Sequence, residues 1–380
     1  MYRRVAVLWS LLFVAMAAGA TSAVADGSPG CSAFDGPKCS IQLSTGITMR
    51  YVEVGPRDGP TLFLLHGYTD TSRSWELVVP VLHKLLPGWD IIAPDLRGSG
   101  QSSMPQGAGC SAVPESCFTW RQFAADIIAF MDARHIHRAA MVGHSAGTLV
   151  ATELGLDYPD RVSSLTLIST AATGQEPAVE GLLNGVIDGE WQPDFTAAGY
   201  AWPNDVYHLS PGVAAPDYND FIDNAWVTSS VAPPWFLAQI RPGIAATRLG
   251  FWIGAIDNIV TVDNTQRLRH LTVPTLVLYA IQDDIFTLAD EQVLIDSLRA
   301  AAQSGGSFWW KEYGAVPPPA AGSQTDLGHS LPWEAPVGVA TDLASFLVRG
   351  QPTLTLYRTD PSDLHRILAE PGRALVIHEP

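Results

Sequence analysis

Basic residues are scarce in this 380-residue chain: 22 Lys and Arg stand against 38 Asp and Glu, a formal net charge of −16. A surface of that sign repels nucleic-acid phosphates and anionic lipid headgroups, which excludes proteins that hold such partners through basic patches. Cysteine is rarer still, with four residues, and none forms the Cys-x-x-Cys spacing of a structural zinc site. His135 and His137 would be a candidate metal pair, but no carboxylate or cysteine stands at ligand spacing from them, so no metal is expected there. Internal repeats and low-complexity blocks are lacking. Beyond the first residues no apolar run is long enough to span a bilayer, so no stable membrane insertion is expected.

The one long apolar run lies at the start. Met1-Tyr2-Arg3-Arg4 precedes Val5 to Met16, and Ala23-Val24-Ala25 follows. A positive start, an apolar middle and small residues at the end describe an export signal over 1–25, cleaved after Ala25. Its loss takes away Arg3 and Arg4 and no acid, leaving 20 basic against 38 acidic residues, a charge of −18. A periplasmic or secreted fate suits the cysteines, which fall into two near pairs around small Gly-, Pro- and Ser-containing loops. Bridges Cys31–Cys39 and Cys110–Cys117 are expected over the two non-local connectivities.

What is present is concentrated at Gly143-His144-Ser145-Ala146-Gly147. An apolar, strand-like run ending at Val142 leads in, and a helix-compatible run from Thr148 leads out. A serine at such a strand-to-helix turn sits in strained backbone, and its small neighbours avoid collision with the next strand. The turn exposes Oγ and brings the following amides, at a positive helix end, toward an anion forming beside it.

Serine needs a base, and the base needs an orienting carboxylate. Downstream, Pro274 to Ala280 reads as a buried strand, with Asp283 and Asp284 just past its end; Asp283 is the preferred acid and Asp284 the alternative. In a parallel sheet, a carboxylate there shares the serine's rim. His329, after Gly328 and before a Pro-containing turn, is the candidate base. Thr61 to Leu65 is a further apolar strand, followed by His66-Gly67-Tyr68-Thr69. The Tyr68 and Ala146 amides are the candidate oxyanion donors. His66 is assigned to bracing that loop. Gly67, Gly143, His144 and Gly147 are supporting residues.

Taken in order, His66-Gly67, Asp95-Leu96-Arg97-Gly98-Ser99-Gly100-Gln101-Ser102, Gly143-His144-Ser145-Ala146-Gly147, Asp283 and Gly328-His329 resemble the landmarks of the α/β-hydrolase fold family, in its cap-bearing serine hydrolase branch, over residues 41–348. The resemblance implies nucleophile Ser145, acid Asp283, base His329 and oxyanion amides from Tyr68 and Ala146. Ser99 stands where relatives often carry histidine, in a loop that is structural in the family. Ala280 stands where many have glycine before the acid. Relatives that open epoxides or remove halogens use aspartate as nucleophile, which Ser145 argues against.

The fold class expected is α/β: a mostly parallel, doubly wound sheet with an inserted, mainly helical cap. Ile41 to Leu43 and Met49 to Val54 alternate as a hairpin would, and strands then alternate with helices. The core occupies 26–172 and 269–349. From 173 to 268 the strand rhythm stops and aromatics abound, which places the cap there, many of its aromatics being its own core. Ser103 to Cys117 is longer than the fold requires and is expected to overhang the active-site rim. Past Gly350 a strand–helix–strand appendage over 350–380 is expected, docked on the body or paired at a sheet edge.

The function expected is an exported serine hydrolase acting on a small or medium, largely uncharged ester or lactone, with that small-molecule substrate as its partner and the oligomeric state left open. No organic cofactor is expected, because serine chemistry of this kind needs none. The alternatives are a hydrolase-shaped binding or sensor protein with slow or no turnover, and a carbon–carbon hydrolase or cofactor-free perhydrolase or haloperoxidase. Fold does not set substrate.

Overall fold

A computed structural model describes residues 30–314 and 326–353. The expected export signal and, apart from 350–353, the expected C-terminal appendage lie outside the described residues.

The strands are β1 (Cys39–Gln42), β2 (Thr48–Val54), β3 (Thr61–Leu65), β4 (Asp90–Asp95), β5 (Ala139–His144), β6 (Val162–Ile168), β7 (Thr275–Ala280) and β8 (Phe308–Tyr313). They form one sheet in the order β1-β2-β4-β3-β5-β6-β7-β8. The β1–β2 and β2–β4 pairs are antiparallel and the rest parallel. Parallel strands need crossovers, and the helices supplying them cover both faces. Hence β3, β4, β5 and β7 are buried along their whole length.

Successive side chains of β3 divide between the two faces. Phe63 and Leu65 join Met141 against α2 (Trp120–Ala133) and α3 (Ala146–Asp157), through Phe123, Phe130, Val150 and Leu154. Leu62 and Leu64 join Val142 against α1 (Val79–Leu85) and the last helix, Pro336–Arg349, through Leu82, Leu343 and Phe346. Each such side chain contributes about 1.5–3 kcal/mol relative to exposure. α2 begins at a capping box between Thr119 and Gln122. The last helix ends at Gly350, whose φ of 77° is the left-handed stop that glycine takes freely.

Two elements depart from the expected pattern. β8 carries Lys311 and Glu312 within its apolar run, and Lys311 is buried against Asp342 at 2.7 Å. A paired buried lysine breaks the apolar signal without breaking the strand. The 103–117 segment does not line the active-site cavity described below. It grips the insertion between β6 and β7 instead. Asn258 Nδ2 donates to the Glu115 carbonyl at 2.9 Å, Tyr207 Oη donates to the Pro105 carbonyl at 3.2 Å, and a Cβ on Gly254 would lie 2.7 Å from the Pro114 oxygen.

Both local disulfides are formed, Cys31–Cys39 and Cys110–Cys117, with Cα atoms 5.3 and 5.5 Å apart. The first tethers the lead-in, whose Lys38 reaches both Asp95 carboxylate oxygens at 2.7 Å. That pair is buried, and Asp95 also accepts the Ser72 and Gln101 amides, so the lead-in is built into the rim.

The insertion between β6 and β7 is mainly helical, with longer helices at Pro234–Ala245 and Leu249–Val260. Trp252 lies at its centre, fully buried, with Trp191, Tyr68 and Trp226 rings 5.1, 5.3 and 5.6 Å away. Trp191, Phe195, Tyr207, Tyr218, Phe236 and Phe251 are buried too, so most of the aromatics are packing. Trp235 is half exposed at the start of Pro234–Ala245.

Candidate active site

The rim is set by how closely three backbone segments approach. A Cβ on Gly143 would lie 2.4 Å from the Gly147 oxygen, and one on Gly147 would lie 2.3 Å from the Leu65 oxygen. Those contacts admit only glycine, and they fold the chain sharply between β5 and α3. Ser145, at the bend, has φ 51° and ψ −128°, a conformation costing on the order of 1–3 kcal/mol. Its amide donates to the Ile168 carbonyl at 3.0 Å, locking the bend to β6.

Three side chains distant in sequence meet at this bend. His329 Nε2 lies 2.9 Å from Ser145 Oγ, and His329 Nδ1 lies 3.0 and 3.1 Å from the Asp283 carboxylate oxygens. Asp283 is held in turn by the Ile285 and Phe286 amides, each donating to Oδ1 at 2.9 Å. Asp284 is exposed and makes no contact with the imidazole, so of the two candidate acids Asp283 is the one that meets His329. Because Asp283 can only accept when ionised, it fixes Nδ1 as the protonated nitrogen and leaves Nε2 to accept from Ser145. Burial would lower the His329 pKa. The Asp283 charge and hydrogen bond, with Asp284 and Glu334, outweigh burial and hold it above 6.5.

Gly67 lies close beneath: a Cβ there would be 3.1 Å from Ser145 Cβ. Among the described residues neither the Tyr68 nor the Ala146 N–H is taken by a backbone acceptor, and Ala146 opens α3. The Tyr68 side chain points away into the insertion, donating to the Trp252 carbonyl at 2.5 Å. His66 is fully buried: Nδ1 donates to the Gly67 carbonyl at 2.8 Å, and Nε2 accepts the Leu96 amide at 3.0 Å with Ser99 Oγ at 2.9 Å. Burial pushes its pKa to about 4. His144 donates from Nε2 to the His329 carbonyl at 3.0 Å, and burial with the nearby His329 charge pushes its pKa to about 3. Two of the three histidines here are thus held neutral, and only His329 is poised to take a proton.

Two carboxyls escaped the sequence reading. Glu334 Oε2 accepts the Gly328 amide at 2.6 Å, and its Oε1 accepts the Ser229 hydroxyl at 2.8 Å, tying the His329 turn to the insertion. Its signal was a lone acid between prolines, five residues after His329. Asp70, 6% exposed, accepts the Gly67 N–H and the Ser74 hydroxyl, and burial raises its pKa to about 7. Its signal was an acid two residues past Tyr68.

A cavity of about 370 Å³ opens over Ser145 and His329. The insertion roofs it with Val179, Leu182, Val186, Phe221, Trp226 and Ile256, while Thr148, Thr170 and Thr173 supply hydroxyls. No Lys or Arg is among its described lining residues. Such a volume admits a small or medium ligand with an apolar body.

Comparison with known proteins agrees with the fold. A sequence model of the alpha/beta hydrolase fold matches residues 60–312. The chain belongs to the α/β-hydrolase fold family. Among curated members, epoxide hydrolase A of Mycobacterium tuberculosis is 30% identical over 129 residues, 34% of this chain and 37% of that protein. An uncharacterised hydrolase of Saccharomyces cerevisiae is 24% identical over 277 residues, 70% of this chain and 90% of that one. The match spans little more than a third of the length of the Mycobacterium protein. Among solved α/β-hydrolase structures, the enol-lactonase of Burkholderia xenovorans superposes with a TM-score of 0.57 at 19% identity, over 82% of this chain and 100% of that one. A thermophilic esterase of Thermogutta terrifontis gives 0.56 at 20% identity, over 83% and 100%. At these identities the superpositions speak for the α/β-hydrolase fold alone.

Proposed function

We propose that this α/β hydrolase is a serine hydrolase that cleaves a small or medium, largely uncharged ester or lactone through an acyl-enzyme on Ser145. The observation that carries the reading is the unbroken line from Ser145 Oγ to His329 Nε2 at 2.9 Å and from His329 Nδ1 to Asp283 at 3.0 Å.

His329 takes the Ser145 proton as Oγ bonds to the carbonyl carbon, and Asp283 stabilises the imidazolium. The carbonyl electrons move to oxygen, where the Tyr68 and Ala146 amides receive the oxyanion; one such donor is worth about 10²–10³ in rate. The Nε2 proton then passes to the leaving oxygen as the carbon–oxygen bond breaks. Water, deprotonated by His329, releases the acid in a second cycle. The insertion acts as a cap, excluding bulk water and limiting substrate length.

Several relatives are named epoxide hydrolases. Opening an epoxide through a covalent intermediate needs a nucleophile whose adduct water can cleave. A carboxylate gives an ester, whereas Ser145 would give an inert alkyl ether, so the serine favours acyl transfer. The disulfides further support export to an oxidising compartment.

A fluorophosphonate probe tests the reading. One adduct on Ser145, abolished by His329→Ala, is expected. Tight ligand binding without labelling would instead favour a binding or sensor protein. A panel of p-nitrophenyl esters, lactones and amides then separates the hydrolase classes, with short and medium acyl groups expected to lead.

A further inference from the structure

We propose that Asp70 is a specificity-determining residue: its carboxyl excludes substrates that carry a negative charge near the scissile carbonyl. The inference rests on the serine hydrolase reading and deepens it, because it assigns the preference for uncharged substrate to one side chain.

The argument is geometric. Asp70 lines the same cavity as Ser145 and His329, and lies on the loop that carries the candidate oxyanion amide of Tyr68. The Cβ position of Gly67 is 3.1 Å from Asp70 Oδ2 and also 3.1 Å from Ser145 Cβ, so only the space of one methyl group separates the carboxyl from the nucleophile. The cavity's described lining has no Lys or Arg to neutralise an anionic substrate. An anion entering would face Asp70 in a buried setting, where like charges repel far more strongly than in water.

The titratable groups that share the described cavity lining with Asp70 come from three elements. His329 comes from the turn before the last helix, His144 from the end of β5, and Asp284 from the turn after β7. On its own loop stand the Ser74 hydroxyl and the Gly67 N–H. The insertion contributes no titratable group to the described lining. His144 is held neutral, and Asp284 is exposed. Burial raises the Asp70 carboxyl to about 7, against the pull of Ser74, His329 and Gly67. Exclusion of anions should therefore strengthen as pH rises through neutrality.

The test compares matched substrates, so that the oxyanion common to each pair cancels and the ratio reports the substrate's own charge. One pair is p-nitrophenyl butyrate and p-nitrophenyl hemisuccinate, with the charge in the acyl group. The other is phenyl butyrate and 4-carboxyphenyl butyrate, with the charge in the leaving group. In the wild type the neutral-to-anionic ratio of kcat/KM should widen about tenfold or more from about pH 6 to about pH 8.5 in at least one pair. In Asp70→Asn it should stay flat and small. The pH trend in the wild type stands as a test even if the variant does not fold. A ratio constant with pH in both wild-type pairs, or one widening equally in Asp70→Asn, overturns the inference while leaving the hydrolase reading intact. Failure to cleave any of the four esters overturns both.

Discussion

The rim of the sheet and the helical roof above it are built on different principles. At the rim, backbone meets backbone: Gly143 and Gly147 have no room for a methyl group, and Ser145 is bent out of ordinary backbone space. In the roof, side chain meets side chain: Trp252 touches Trp191, Tyr218, Phe221 and Trp226 through ring faces and edges. Backbone contacts admit almost no substitution, whereas aromatic packing tolerates swaps of similar volume. The proposed chemistry thus sits in the region that tolerates least change, and the proposed substrate choice in the region that tolerates more. Asp70 lies on the boundary, fixed by the rim and facing the roofed space.

Substitutions should break this contrast unequally. At the rim, Asp283→Asn should lower kcat on a preferred ester by about 10³–10⁴, because the wrong imidazole tautomer is then favoured. Asp284→Asn, one residue on, should stay within about threefold, since an exposed charge that does not touch the imidazole is weakly coupled to it. Equal losses from the two would erase the assignment of the acid. The pH–rate profile sharpens the point. Burial lowers the His329 pKa and Asp283 more than restores it, so the acid limb of the wild type should lie above pH 6.5, with activity rising as the imidazole loses its proton. In Asp283→Asn the restoring charge is gone, so the limb should move to lower pH even as the rate falls.

A smaller effect is expected where the roof is anchored. Cys110→Ser with Cys117→Ser opens the loop that holds Asn258 through the Glu115 carbonyl, and should cost about 2–3 kcal/mol in denaturant unfolding, from loop entropy. KM should rise more than kcat falls; an unchanged unfolding midpoint would contradict the anchoring role. A smaller loss still belongs to the roof itself. Phe221→Leu should shift the preferred acyl length with a change of about threefold to tenfold in kcat/KM, read from the p-nitrophenyl ester series, one methylene being worth about 1 kcal/mol. A loss as large as that of Asp283→Asn would mean the roof takes part in the chemistry.

The rim was readable before the structure because its demands are local. Small residues around Ser145, apolar runs in β3, β5 and β7, and acids at a strand end are all written within a few residues. The parts that were not readable depend on partners far away. Lys311 passes for a surface residue until Asp342, 31 positions on, is seen to pair with it. Glu334 looks like a helix-turn acid until Gly328 and Ser229 are found on its two oxygens. The 103–117 loop was expected over the rim because it leaves β4 there, but the carbonyls of Pro105 and Glu115 find donors on the insertion. Asp70 shows no periodicity at all; the loop that carries it is held from the insertion, where Trp226 and Thr247 bond the neighbouring Thr69.

The central claim is that Ser145 becomes covalently acylated because His329 removes its proton. Rapid acid quench of the enzyme turning over p-nitrophenyl butyrate, followed by mass spectrometry of the peptides, tests it directly. The account predicts one butyryl group on the peptide containing Ser145, formed in a burst and absent from His329→Ala. Turnover with that peptide unmodified at every quench time, or acylation at another residue that survives Ser145→Ala, would contradict it.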